Sequence, residues 1–195
     1  MLDGDYSLPE FGYLANSQWV FTEKVDGTNI RVHWDGTNVT FGGKTDNAQI
    51  PVFLLYKLQE LFEGTANKLR LSKAFDGPAT LYGEGHGNKI QAAGKDYVPD
   101  GVDFVLFDVL VGDYWLERHN IEDVAEKLGL KVVPIIGEGI LAEMVDQTEK
   151  GFKSIWGDFT AEGIVARPKT ELLTRKKERI ITKIKHKDYQ SKKKG

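Results

Sequence analysis

Thr22-Glu23-Lys24-Val25-Asp26-Gly27-Thr28-Asn29-Ile30-Arg31-Val32 sets one lysine among acidic residues, directly before a glycine turn and a strand-like run. Asp-Gly is a hairpin-turn signal, because both central positions of a type I′ turn need positive φ. The tetrapeptide Asp-Gly-Thr-Asn occurs twice, at Asp26–Asn29 and at Asp35–Asn38. The second copy suits a hairpin over about residues 29–42, in which a two-residue turn at Asp35-Gly36 pairs Val32 with Val39 and Ile30 with Phe41. The first copy lacks a comparable alternating strand before it, and it carries Lys24 ahead of Asp26. A lone lysine before Asp-Gly is an ordinary surface feature, so its chemistry depends on the rest of the chain.

Downstream, Gly42-Gly43-Lys44-Thr45 leads through Asp46-Asn47 to Val52, Leu55, Leu58, Leu61 and Phe62, which recur at helical spacing until Gly64 stops them. Thr80–Glu84 and Phe104–Leu110 read as strands. Asn120 suits the cap of a helix from Ile121 to Leu128, closed by Gly129. Lys131–Ile136 reads as a strand, Leu141–Phe152 as a helix, and Gly163–Arg167 and Arg179–Lys185 as closing strands. Strands and helices mixed without a βαβ rhythm predict an α+β fold with largely antiparallel sheets.

The 195 residues suit a single domain, 1–195, with a short basic C-terminal tail. No cysteine is present, which excludes disulfides and thiolate metal sites, and the four histidines show no metal-ligand spacing. The longest apolar run, Ile50–Tyr56, is too short to span a bilayer, so a soluble, cytoplasmic protein is expected. Trp34, Trp115 and Trp156 are expected to pack on or cover the core. The net charge of −3 is unevenly spread: from Ala166 onward there are 12 Lys/Arg against 3 Asp/Glu. A basic end on an acidic body predicts an edge that meets a polyanion, with Lys192-Lys193-Lys194 as a solvated tail. Within that end, Lys183 and Lys185 lie two apart and share one strand face, with Ile184 on the other. The face could clamp a phosphate, or it could be the outward side of an edge strand; the residues alone leave both open.

Glu23-Lys24-Val25-Asp26-Gly27-Thr28-Asn29 resembles the nucleophile motif of the covalent nucleotidyltransferases, the ATP-dependent RNA and DNA ligases and the mRNA-capping guanylyltransferases. Leu81-Tyr82-Gly83-Glu84-Gly85 is similar to the third motif of that superfamily, and Asp103–Val109 to its aromatic-bearing segment. Ala161-Glu162-Gly163-Ile164-Val165-Ala166-Arg167 resembles the fourth motif and Ile181-Thr182-Lys183-Ile184-Lys185 the fifth. All five stand in the expected order, and Gly87-Asn88-Lys89-Ile90-Gln91 after Glu84 is most similar to the phage-type RNA ligase 2 branch. A phage-encoded origin is compatible with that.

The resemblance implies an adenylation domain in which antiparallel sheets, flanked by helices, surround an ATP pocket. It implies that Lys24 attacks ATP to form lysyl-AMP, with Lys183 and Lys185 facing the phosphates. Such attack needs a neutral amine, and burial and nearby cations are the usual means of obtaining one. It further implies nucleotide contacts from Glu23, Asn29, Glu84 (to the ribose) and Phe107 (to the base), and a place for Glu162 beside Mg2+ or Mn2+. Relatives usually carry an arginine after the first hairpin; here Lys44 takes that place, keeping the charge but not the bidentate fork. Ten residues follow Lys185, so neither an OB fold nor another C-terminal module is expected, and a helper protein could supply one. The implied substrate is nucleic acid with 5′-phosphate and 3′-OH ends, above all a nicked duplex. A DNA ligase, a capping guanylyltransferase and a non-catalytic nucleotide- or nucleic-acid-binding module are the alternatives.

Overall fold

Trp19, Phe21 and Glu23 are buried and alternate with half-buried Val20 and Thr22, a period of two that only a strand produces. The computed structural model describes residues 8–190; the Lys192-Lys193-Lys194 run lies outside them. In chain order the elements are α1 (Pro9–Tyr13), β1 (Trp19–Glu23), β2 (Thr28–Trp34), β3 (Val39–Gly42), α2 (Val52–Phe62), α3 (Thr65–Ala74), β4 (Ala79–Gly87) and α4 (Gly94–Tyr97). They continue with β5 (Val102–Val111), β6 (Tyr114–Trp115), α5 (Arg118–Leu128), β7 (Lys131–Val132), β8 (Ile135–Gly139), α6 (Leu141–Lys150), β9 (Gly163–Pro168), β10 (Thr182–Lys185) and α7 (Lys187–Gln190). The expected α+β class with antiparallel sheets is borne out, and the described residues form two units, 8–25 with 134–190, and 26–133.

In the first unit four antiparallel strands run in the order β10-β9-β1-β8. One face buries Trp19, Phe21, Ile164, Ala166 and Ile184 against Phe11 of α1, Leu141, Met144 and Val145 of α6, and Tyr189 of α7. Leu141, Met144, Val145 and Thr148 follow i, i+3, i+4, i+7 spacing, which gives α6 a single apolar stripe. Each such large side chain taken from water stabilises by about 1.5–3 kcal/mol. The opposite face carries Lys183 and Lys185.

The second unit is a sheet ordered β3-β2-β4-β5-β6, with β7 parallel to β5. Ile30, Val32, Leu81, Phe104 and Leu106 form a core with Leu54, Leu58 and Phe62 of α2, Leu71 of α3, and Ile121, Val124 and Leu128 of α5. By alternation, Asn29 and Arg31 of β2 and Tyr82 and Glu84 of β4 stand on the face away from this core. Trp34 belongs to the core, and Trp115 covers Tyr82 with ring centroids 5.1 Å apart.

Several local expectations are corrected. The hairpin loop holds four residues, 35–38: Asp35 Oδ1 accepts N–H bonds from Thr37 (2.7 Å) and Asn38 (2.6 Å), so Val32 faces Phe41 and Trp34 faces Val39. The carboxylate turn lengthens the loop by two residues, and a shift of two keeps every side chain on its face. A strand does precede the first Asp-Gly, namely β1. Helix α2 buries Leu54, Leu58 and Phe62 while Val52 is exposed, so its inward stripe is i, i+4, i+8. Gly64 is followed at once by a second helix, α3, which buries only Leu71 and so has little apolar period to read. Asn120 lies inside α5, whose N-cap is Glu117. Lys131–Ile136 breaks at Pro134, which has no N–H to pair; β7 joins β5 and β8 joins β1. Helix α6 stops at Gly151 (φ 84), and β10 starts at Thr182.

His86, at the end of β4, is fully buried, with its ring edge-on to Tyr97 at 5.9 Å between centroids. Burial disfavours the imidazolium and pushes its pKa down. The unfolded chain takes up a proton near pH 6.5 that the folded chain does not. Stability is therefore full above about pH 6.5 and falls below it, by at most ~1.4 kcal/mol per pH unit from this group. Urea unfolding from about pH 7 to 5.5 is expected to show that decline, and His86→Gln to flatten it. Parallel curves for the two proteins would refute the assignment.

Candidate active site

Strand β1 pairs with β9 so that Glu23 faces Ile164, and β9 pairs with β10 so that Gly163 faces Lys185. The residues just beyond those pairs, Lys24 and Glu162, therefore meet at one end of the sheet, beside Lys185. The Lys24 N–H donates to Gly163 O (2.9 Å), extending the ladder by one bond. Lys24 Nζ lies 2.5 Å from Glu162 Oε2, and Lys185 Nζ lies 3.2 Å from Glu162 Oε1. One carboxylate thus holds two ammonium groups, and the trio carries one net positive charge. The Lys24 and Glu162 side chains are only 15% and 10% exposed, so water screens their attraction weakly.

Glycine at 163 permits this approach. A Cβ there would overlap the Ile184 carbonyl, and φ is 156°, so a side chain would push β10, and with it Lys185, away from Glu162. The N–H of His186 donates to Glu162 O (2.9 Å) and fixes the backbone from the other side. Lys183 stands two residues before Lys185 on the same face and is exposed. The shared lysine face read from the sequence is thus present. Lys185 touches Glu162, whereas Lys183 faces Val165 across the ladder.

Glu23 points the other way. Its carboxylate is buried and accepts hydrogen bonds from Ser154 Oγ (2.6 Å) and Ile155 N–H (3.0 Å). Burial pushes its pKa up, and the two hydrogen bonds partly offset that. Its side chain ties β1 to the 154–156 turn in the residue directly before Lys24. Ser154 escapes a reading of the sequence, because an isolated serine 131 positions away leaves no local signal.

In the second unit, Asn29 on β2 lies directly across from Glu84 on β4. The two residues read from separate motifs are neighbours on one face. On the core side of β4, Gly83 lets the Phe104 ring lie against the strand: a Cβ there would run into that ring. Phe104 is buried in the core, whereas Phe107 is half-buried and outside it. Tyr82 pairs with Asp108 and Gly83 with Leu106, so Phe107 is the extra residue of a β-bulge, a device that re-aims a side chain. The Asp26-Gly27 turn is held from the 91–97 segment: the Asp26 N–H donates to Tyr97 Oη (3.4 Å) and Gln91 Nε2 donates to Gly27 O (3.3 Å). Lys44 is exposed just past β3. Arg31, not singled out in the sequence, pins that turn by donating to Gly43 O (2.8 Å) and Asp46 Oδ1 (2.7 Å).

The RNA ligase family model matches residues 17–185. No curated protein matches the chain in sequence. Among solved structures, Naegleria gruberi RNA ligase with pyrophosphate superposes with a TM-score of 0.70 at 18% identity, covering 95% of this chain and 54% of that one. A mutant of the same ligase with ATP and manganese gives 0.71 at 18%, with the same coverage. Another mutant, with AMP and manganese, gives 0.70 at 17%, covering 94% and 54%. At such identity the likeness is one of fold, and the chain spans about half the length of the solved chains it matches.

Proposed function

The chain belongs to the RNA ligase family, and on that premise we propose that it is an ATP-dependent RNA ligase with Lys24 as its nucleophile. The observation that carries this reading is the two lysine ammonium groups held on one carboxylate at the sheet end. Lys24 Nζ, once deprotonated, forms a bond to the α-phosphorus of ATP while the bond to pyrophosphate breaks. The adenylyl group then passes to a 5′-phosphate, Lys24 leaves, and a 3′-hydroxyl displaces AMP to seal the strand. Lys185, in contact with the poorly exposed Glu162, and Lys183, exposed on the same strand face, supply positive charge where phosphate oxygens gain negative charge. Glu23, Asn29, Glu84, Phe107 and Lys44 are assigned to the nucleotide on the match to the family's motifs.

Magnesium or manganese fits this donor set as the companion of a triphosphate. Among the described residues no group of three His, Cys, Asp or Glu is placed to hold a metal. Magnesium takes one or two carboxylates and fills its other positions with phosphate and water, and Glu162 is the carboxylate at hand. When bound, such an ion neutralises charge developing on the phosphates.

The test is incubation with magnesium and α-labelled ATP, which should leave acid-stable label on the chain and release pyrophosphate. Label from GTP in place of ATP would favour the capping alternative, and no label from either would favour a binding module. Among the described residues no helix is long and apolar enough to cross a membrane.

Sealing needs both ends in line, and such positioning can be worth up to about 7–11 kcal/mol. A template supplies much of it in a nicked duplex, so a pre-adenylated strand is expected to join faster when nicked on a template than when free. Equal rates for the two forms would overturn the nicked-duplex assignment.

A further inference from the structure

Between β9 and β10 the chain runs out into a basic hairpin. Leu173 bridges to Arg179, and Thr174 N–H donates to Glu178 O (2.8 Å). Thr174 Oγ1 accepts the N–H groups of Lys176 (3.2 Å) and Glu178 (3.3 Å). Lys177 N–H donates to Thr174 O (2.9 Å), and Lys177 itself sits in the left-handed region at φ 62°. Two cations on the hairpin stem have acidic partners: Lys169 contacts Glu138 (2.6 Å) and Arg179 contacts Glu171 (3.7 Å). The three at the tip, Arg175, Lys176 and Lys177, are exposed. Among the described residues none of them is paired with a carboxylate. A short turn closed by four local hydrogen bonds therefore holds three adjacent positive charges out in water.

The position of this tip decides what it can do. Gly163 faces Lys185 and Ala166 faces Thr182, so the hairpin leaves the sheet at the end opposite Lys24, Glu162 and Lys185. Strand β9 alone spans roughly 17 Å at about 3.3 Å per residue. Such a tip is too far from the nucleophile to act on the transferred phosphate, yet a polynucleotide engaged there extends over that distance.

We propose that Arg175, Lys176 and Lys177 form a remote clamp on the phosphate backbone of the RNA, away from the ends being joined. The proposal rests on the ligase reading above for the identity of the polyanion. Three adjacent exposed cations on a hydrogen-bonded turn suit contacts to backbone phosphates, which carry no sequence information, so the clamp acts without regard to sequence. Each neutralised phosphate releases counterions and adds about one unit to the slope of log affinity against log salt.

The experiment measures binding of a nicked, 5′-phosphorylated RNA duplex across a salt series. It compares the full chain with a variant carrying Arg175→Ser, Lys176→Ser and Lys177→Gly. Glycine at 177 keeps the left-handed turn, and labelling by ATP, which needs no RNA, checks that the variant is folded. The variant is expected to bind more weakly at low salt and to lose about two to three units of slope. Leu173→Ser, which removes exposed apolar surface and no charge, is expected to keep the slope. Unchanged binding and slope in the triple variant would overturn the proposal. Loss in Leu173→Ser but not in the triple variant would instead make the hairpin an apolar docking surface for protein, and would overturn it equally. Because binding is read without catalysis, a chain that takes no label but binds RNA through the tip would refute the ligase reading and sustain the clamp.

Discussion

Lys24→Ala is expected to take up no label from α-labelled ATP, at any pH or nucleotide concentration, while remaining folded. The two halves of that expectation come from different bonds. The covalent step proposed above uses the Lys24 amine itself, and Lys185, although on the same carboxylate, reaches the other oxygen. The fold needs much less from this side chain. The Lys24 backbone N–H to Gly163 O survives the substitution, as does the pairing of Glu23 with Ile164. Glu162 keeps Lys185 as a counter-ion, so no carboxylate is left alone in a poorly hydrated place. A normal thermal transition with no label assigns Lys24 as the nucleophile. Label persisting in the variant would move the nucleophile elsewhere and leave the three-residue cluster as a structural ion pair.

Much of this site was legible in the sequence because its residues sit at strand ends or on strand faces. Parity along Thr182-Lys183-Ile184-Lys185 separates the lysines from Ile184, and the fold keeps that separation without a bulge. Parity is a poorer guide at Phe107, because the bulge that leaves this residue unpaired between Leu106 and Asp108 has no mark in the sequence. What the sequence hid are contacts made across long separations by residues with no pattern of their own. Ser154 under Glu23 and Tyr97 and Gln91 around Asp26-Gly27 are examples. The missed elements share a cause too. Helix α3 buries one leucine, so no stripe announces it, and β1 is too short for its five-residue alternation to stand out beside the Asp-Gly repeat. In Asp35–Asn38 a side-chain carboxylate, not the Asp-Gly dipeptide, sets the loop length. The separation of β7 from β8 follows from Pro134, whose missing N–H interrupts a run that apolar character alone would continue.

Glu162→Ala is expected to be the more damaging change at this cluster, costing both label and stability. Lys24 and Lys185 each contact a different oxygen of this one carboxylate. Its removal leaves two ammonium groups near each other, where Lys24 is only 15% exposed and cannot be fully rehydrated in place. Breaking a buried pair by deleting one member typically costs about 3–5 kcal/mol. The half-exposed Lys185 can swing to water and recover part of that, which puts the expected loss at about 2–4 kcal/mol. Lys24→Ala, which leaves a carboxylate still paired, should cost distinctly less. Urea unfolding of both variants reads this asymmetry directly, and the isosteric Glu162→Gln, which keeps one hydrogen bond and loses the charge, should fall between them. Label should be lost in Glu162→Ala, because the carboxylate that holds the Lys24 amine in place is gone. Equal stability of Glu162→Ala and Lys24→Ala would mean that the carboxylate does not bridge the two lysines, and the positioning of the nucleophile would then have to come from the backbone bond to Gly163 alone.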